Sequence, residues 1–213
     1  PMHAAPHAAF VAAAAALQPA TGPVARSLAN SSGAFLGPDY HFDLIRPGAG
    51  LYGINPTPAR PNPMRQAVRL YGRILQVRDL DAPQTVGYGA AHRVTGPSRI
   101  ATVAIGYADG YMRAVGSADS GANALSGPGT SAAAPRGYIG ETPVPVVGRV
   151  SMDLITLDVS GVEPEAARPG TLVELLGPHV STDELAGWAG TIGYEVLTGL
   201  GARLHRVYAG GAS

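Results

Sequence analysis

Beyond residue 64 the hydrophobic positions fall in short runs rich in β-branched residues, each closed by Gly, Pro, Asp or Ser. Residues 67–77, 99–105, 144–150, 154–159 and 171–176 read as strands on that pattern. Their regular spacing predicts an all-β domain, a sandwich or a barrel. Residues 181–189 start with Ser181, an N-capping type, and carry Asp183 and Glu184 in the first turn, so a short helix is expected there. Residues 191–200 have an apolar face suited to a second helix, and 204–208 are expected to add a closing strand. The first 55 residues are patterned differently. Residues 6–17 are dominated by alanine and read as a surface helix, ended by the breakers of residues 18–23. Residues 24–29 and 42–54 then read as strands flanking a helical turn at 32–36, an alternation that fits a parallel α/β arrangement. Two strands cannot complete such a domain, so its remainder is expected elsewhere. Residues 55–63 hold four prolines, which suits neither helix nor inner strand. The organisation expected is an α/β remnant at 1–55, a proline-rich junction at 56–63 and a β domain at 64–213. The small, polar residues 117–134 have little to bury and are expected to form a mobile surface insertion.

Composition narrows the function classes. Of 213 residues, 46% are hydrophobic and 14% charged, enough apolar surface for a buried core. The 15 basic residues balance 15 acidic ones without a basic cluster, which argues against nucleic acid as a partner. There is no cysteine, hence no disulfide and no thiolate ligand. No apolar run reaches the roughly 20 residues that span a bilayer, and the alanine-rich opening lacks a basic leader, so a cytoplasmic location and no membrane partner are expected. Every basic residue is arginine; without lysine, no side-chain amine can form a Schiff base.

Candidate chemistry gathers where apolar runs end in small residues. Ile100 to Ile105 leads into Gly106-Tyr107-Ala108-Asp109-Gly110, a tight turn that presents a phenol; a core or interface tyrosine fits the same pattern. Ser31, in Asn30-Ser31-Ser32-Gly33, stands where a hydroxyl and backbone N–H groups suit a phosphate, or where a serine simply caps a turn. Arg46 lies inside a predicted strand and calls for a planar anionic partner, a core carboxylate being the commonest. Gly48, Ala49 and Gly50 offer an open backbone for a phosphate nest. Ser151-Met152-Asp153 interrupts an apolar strand, as a bulge would. The six histidines show no ligand spacing, so no metal site is expected.

Five blocks occur in the order found in alanine racemases. They are Ala29-Asn30-Ser31-Ser32-Gly33, Ile45 to Gly53 (Ile-Arg-Pro-Gly-Ala-Gly-Leu-Tyr-Gly), Ile105-Gly106-Tyr107-Ala108-Asp109-Gly110, Gly148-Arg149-Val150-Ser151-Met152-Asp153 and Thr191-Ile192-Gly193-Tyr194-Glu195. The chain resembles the C-terminal portion of that family from residue 25 to residue 208. The resemblance implies the last elements of a (β/α)8 barrel that binds pyridoxal 5'-phosphate, followed by a mainly β domain, in a homodimer that interconverts L- and D-alanine. It implies Tyr107 as the catalytic base or acid on the face of the substrate Cα opposite the lysine, supplied across the dimer interface. Arg46 matches the residue on the pyridine nitrogen, Ser31 with Gly48 and Ala49 the phosphate cradle, and Met152 a backbone donor to the substrate carboxylate, with Asp153 in support. An arginine gives up its proton reluctantly, so the ring nitrogen stays unprotonated and two-base chemistry is favoured.

Two positions depart from the family pattern. Ala202 falls where some members have a tyrosine reaching the phosphate, and Ser27 where many have a histidine behind the pyridine-binding arginine. The Schiff-base lysine lies outside these residues, so a separate N-terminal barrel chain is an expected partner and the chain alone is expected to be inert. A non-catalytic binding or dimerisation module, and a related racemase acting on another amino acid, are the competing readings.

Overall fold

The computed structural model describes residues 3–81, 83–120 and 134–210. Its backbone contacts divide the chain into two compact units, Pro1–Ala67 and Val68–Ser213.

In the first unit, α1 (Ala4–Thr21) runs past Pro19 to Gly22, four residues beyond the predicted helix. No residue of α1 is buried. It is held through His7 and Phe10, whose rings meet Phe42 at 5.4 and 5.0 Å. The two strands expected at 24–29 and 42–54 do not form. They run side by side, joined by the N–H groups of Asp43 and Leu44 to the Arg26 carbonyl and of Arg46 to that of Ala29, but the only ladder element is the parallel bridge Asn30 to Arg46. Neither segment has a second described neighbour to pair with, and a parallel pair of this length gains little on its own. Phe42 takes a positive φ of 48°, and Ala49–Tyr52 coils into a 3₁₀ turn, which ends the second segment early. The turn expected at 32–36 is a 3₁₀ turn at Gly33–Phe35.

The second unit is built on a closed antiparallel barrel. Its strands are β1 (Leu70–Leu80), β4 (Ser98–Ala104), β5 (Arg136–Ile139), β6 (Thr142–Val147), β7 (Leu154–Asp158) and β8 (Leu172–Leu176). They are ordered β1-β4-β7-β6-β5-β8, and β8 returns to pair with β1. A two-stranded hairpin, β2 (Gln84–Val86) and β3 (His92–Val94), lies outside that order. Strand alternation sorts the side chains. Ala101, Val103 and Ile105 enter the barrel core with Ile74, Ile155, Leu157, Val173 and Leu175, whereas Ile100 turns to a second cluster with Leu80, Val86, Val94 and Val147.

Ser181 caps α2 (Thr182–Ala189), its Oγ accepting the Glu184 N–H at 3.1 Å, and α3 (Gly193–Gly199) follows. Leu185, Trp188 and Val196 join the barrel core. Three sequence expectations need correction here. β5 and the β2–β3 hairpin were not expected, and residues 204–208 form no strand because β8 already pairs on both sides and leaves no edge. The strand expected at 144–150 stops at Val147, before a loop. Most of the insertion expected at 117–134 lies outside the described residues. No described helix is long and apolar enough to cross a membrane.

Candidate functional site

β4 delivers the chain to Gly106, and Tyr107–Asp109 forms a single 3₁₀ turn. Asp109 is buried, and its Oδ2 accepts the Gly106 N–H at 2.9 Å, so the acid closes the turn from inside. Gly110 ends it at φ 101°, a conformation that a side chain resists. A Cβ there would also lie 2.3 Å from the Gly199 carbonyl oxygen. Tyr107 is left 39% exposed just beyond the end of β4, at the strand's mouth as the sequence suggested. Tyr111 is instead fully buried, which pushes its phenol above the ordinary value, and its hydroxyl has no hydrogen-bond partner among the described residues.

The loop between β6 and β7 comes alongside. Ser151 and Leu154 close it reciprocally: the Ser151 N–H and hydroxyl donate to the Leu154 carbonyl at 2.9 and 2.8 Å, and Ser151 Oγ accepts the Leu154 N–H at 3.2 Å. Met152 and Asp153 stand at the tip of this turn, both exposed. It is an ordered turn rather than a bulge. Two backbone hydrogen bonds tie it to the phenol: Tyr107 N–H to the Ser151 carbonyl and Ala108 N–H to that of Met152, each 3.0 Å. Gly106 permits this approach, since a Cβ there would stand 2.3 Å from the Met152 oxygen. The structure therefore brings Tyr107, Met152 and Asp153 together. It adds Asp109 and Arg203, which the sequence reading did not assign. Arg203 reaches Asp109 Oδ1 at 3.1 Å and Asp153 Oδ1 at 2.7 Å, and the hydrogen bond to Asp153, then the charge of Asp109, raise its pKa. An acid at the third turn position was a local signal for Asp109; nothing local marks Arg203.

Ser31, Arg46, Gly48 and Ala49 form their own group in the first unit. Ser31 is buried and does not cap the following turn; Asn30 Oδ1 takes the Gly33 N–H at 2.9 Å instead. Ser31 Oγ accepts the N–H groups of Gly48 at 2.9 Å and Gly50 at 3.1 Å. With two donors already on its oxygen, the hydroxyl has its own proton left to donate. Space beside the Gly48 Cα is open for 4 Å. A hydroxyl donor among glycine backbone suits a phosphate oxygen, which is the donor set a phosphorylated cofactor needs. Arg46 is exposed and meets no core carboxylate among the described residues. Its Nη1 donates to the Ser27 hydroxyl and, at 2.9 Å, to the Ser27 carbonyl, and its Nη2 reaches the Leu28 carbonyl at 3.4 Å. Ser27, noted as a departure, thus orients the guanidinium itself. Among the described residues no group of acids and histidines could hold a metal ion.

The first unit thus holds an arginine and a serine–glycine cradle, and the second, mainly β unit presents a phenol beside a tight backbone turn. Residues 67–208 match the family described as alanine racemase, C-terminal domain, and residues 1–56 match alanine racemase, N-terminal domain. The chain belongs to the alanine racemase family. It is 52% identical over 210 residues to an alanine racemase of Rhodospirillum rubrum, covering 99% of this chain and 51% of that protein. It is 49% identical over 185 residues to a catabolic alanine racemase of Mesorhizobium japonicum, covering 87% and 44%. The alanine racemase structure from Streptomyces coelicolor A3(2) superposes with a TM-score of 0.83 at 31% identity, over 98% of this chain and 52% of that one. That from Bartonella henselae, solved with covalently bound pyridoxal phosphate, gives 0.73 at 36%, over 87% and 47%. The chain spans about half the length of the curated relatives it matches.

Proposed function

We propose that this chain is the C-terminal portion of a pyridoxal-phosphate-dependent alanine racemase that interconverts L- and D-alanine. Residues 1–55 are the end of a (β/α)8 barrel, 56–63 a junction and 64–213 the β domain. The observation that carries the reading is the pairing of Tyr107 with the Met152 turn through two backbone hydrogen bonds. A proton-transferring group and a carboxylate-binding N–H must be fixed relative to each other before a Cα proton can be moved with stereochemical control.

The cofactor, when bound, supplies an electron sink that makes the Cα proton of an amino acid removable. Ser31, with the Gly48 and Ala49 backbone, would hold its phosphate; the Gly48 N–H, now on Ser31 Oγ, would turn from the serine to do so. Arg46, oriented by Ser27, would pair with its pyridine nitrogen. Met152 would donate its backbone N–H to the substrate carboxylate, with Asp153 beside it. Tyr107 moves a proton at one face of Cα, and a lysine outside this chain moves one at the other. Tyr107 and Met152 act across the interface of a homodimer, in the cytoplasm. The lysine comes from the N-terminal barrel half, present as a separate chain or as the rest of a longer polypeptide.

The test is to incubate L-alanine and pyridoxal phosphate with the complete polypeptide and with the 213-residue chain, following D-alanine by chiral chromatography and reducing each sample with borohydride. The complete protein should racemise alanine and retain a reduced cofactor label. This chain should do neither beyond its terminal amine, because it has no lysine. Turnover or a side-chain label on the isolated chain would overturn the assignment of the second base; a complete protein inert toward alanine would favour a binding module or another substrate.

A further inference from the structure

We propose that Arg203 is a positioning residue of the Tyr107–Met152 site, a clamp on two carboxylates that sets the spacing between the phenol's turn and the carboxylate-binding turn. The inference rests on the roles given above to Tyr107 and Met152. The guanidinium uses two different nitrogens: Nε meets Asp109 Oδ1 at 3.1 Å, and Nη2 meets Asp153 Oδ1 at 2.7 Å. Each carboxylate belongs to one of the two turns. Asp109 is buried and holds Gly106 N–H with its other oxygen, so a pull on Asp109 is a pull on the residue from which Tyr107 departs. Asp153 follows Met152 directly at the tip of the Ser151–Leu154 turn. The Arg203 end is anchored as well, because the Gly201 N–H donates to the Asp109 carbonyl at 3.0 Å.

The two backbone hydrogen bonds between the turns fix their strand-like register at Ser151 and Met152. Neither of them reaches Asp153, and Arg203 ties that residue to the Tyr107 turn. A planar fork spans two carboxylates with fixed geometry, whereas a lysine ammonium acts as a single point. The arrangement therefore divides by function. The Asp109 arm steadies the proton-transferring side, and the Asp153 arm steadies the substrate-binding side.

The experiment uses the complete, cofactor-loaded racemase, with steady-state kinetics on alanine normalised to bound cofactor and with a thermal melt for each variant. Asp153→Ala should raise KM about tenfold with kcat nearly kept, and Asp109→Asn, which retains an acceptor for Gly106, should lower kcat about tenfold with KM nearly kept. Arg203→Gln should show both effects, and Arg203→Lys should recover one of them at most. Unchanged KM and kcat in Arg203→Gln and Arg203→Lys would overturn the proposal, as would the same loss of kcat alone in every variant that folds, the pattern of a merely structural residue. If Asp109→Asn does not fold, the Arg203 and Asp153 variants still decide. A wild-type protein that does not racemise alanine would instead refute the functional reading on which the clamp rests.

Discussion

Gly106→Ala places one methyl group where the Tyr107 turn and the Met152 turn touch. Gly106 has φ −154° and ψ −165°, an extended conformation open to any residue, so the backbone itself is not strained. The conflict is with neighbours: the new Cβ would lie 2.3 Å from the Met152 carbonyl oxygen and 2.4 Å from the Met152 carbon and the Ser151 oxygen. All three are backbone atoms, so no rotamer relieves the contact. The loop must retreat by roughly 1 Å, a displacement that costs on the order of 10²-fold in rate at a positioned site. Retreat also breaks the Tyr107 and Ala108 hydrogen bonds to Ser151 and Met152. Overpacking at about 1–3 kcal/mol and two hydrogen bonds at about 1 kcal/mol each give a loss of roughly 3–5 kcal/mol, or about 6–20 °C in Tm. Gly161→Ala is the control, because no atom lies within 4 Å of its added Cβ. Circular-dichroism melts should show Gly106→Ala well below wild type and Gly161→Ala level with it. A Gly106→Ala variant that melts with the wild type and turns over at the same rate would refute the contact as the element that sets the site.

Three further outcomes follow from particular residues. Tyr111→Phe removes a buried, unpartnered hydroxyl, and at about 1–3 kcal/mol for such a group it should raise Tm by several degrees in the same melts; a fall would mean that the hydroxyl is satisfied. His179 has its pKa raised, first by a hydrogen bond to Glu141 and also by Glu174, against a desolvation that lowers it. Because the folded value lies above the ordinary 6.5, its contribution is complete below 6.5 and is lost as pH rises through the folded value. The Tm advantage of wild type over His179→Gln should therefore shrink as pH rises above 6.5, and an advantage that grows with pH would contradict the pairing. Ser27→Ala removes the hydroxyl under Arg46 but not the carbonyl; cofactor affinity, read by titrating the cofactor-free complete protein and following the absorbance of the bound cofactor, should weaken several-fold, and an unchanged titration would discount Ser27 as a support.

Short β-branched runs closed by turn residues made five barrel strands legible, and within them Ile155, Leu157 and Val159, or Ala101, Val103 and Ile105, face a single core. β5 escaped because Arg136-Gly137-Tyr138-Ile139 is short and shows only one large aliphatic side chain, and the β2–β3 hairpin because each strand has three residues. Residues 24–29 and 42–54 have the apolar content of strands, yet strand formation depends on neighbours that the local pattern does not contain. The same limit applies to Leu204 to Tyr208, apolar enough for a strand but left without an open edge. Tyr107 was visible because glycines bracket it. Arg203 was not, since its partners Asp109 and Asp153 lie 94 and 50 positions earlier in the numbering, and only the closed barrel brings them to one point.

The central claim is that Tyr107 moves a proton at one face of the alanine Cα. The two enantiomers have equal free energy, so kcat/KM must fall equally in both directions in any variant, and rate alone cannot assign the face. Solvent exchange can. In the complete enzyme, Tyr107→Phe in deuterated water should lose roughly 10²–10⁴-fold in racemisation, while one enantiomer still exchanges its Cα hydrogen for deuterium without inversion and the other does not. Racemisation at the wild-type rate, or exchange lost equally from both enantiomers with the cofactor still bound, would contradict that role for Tyr107.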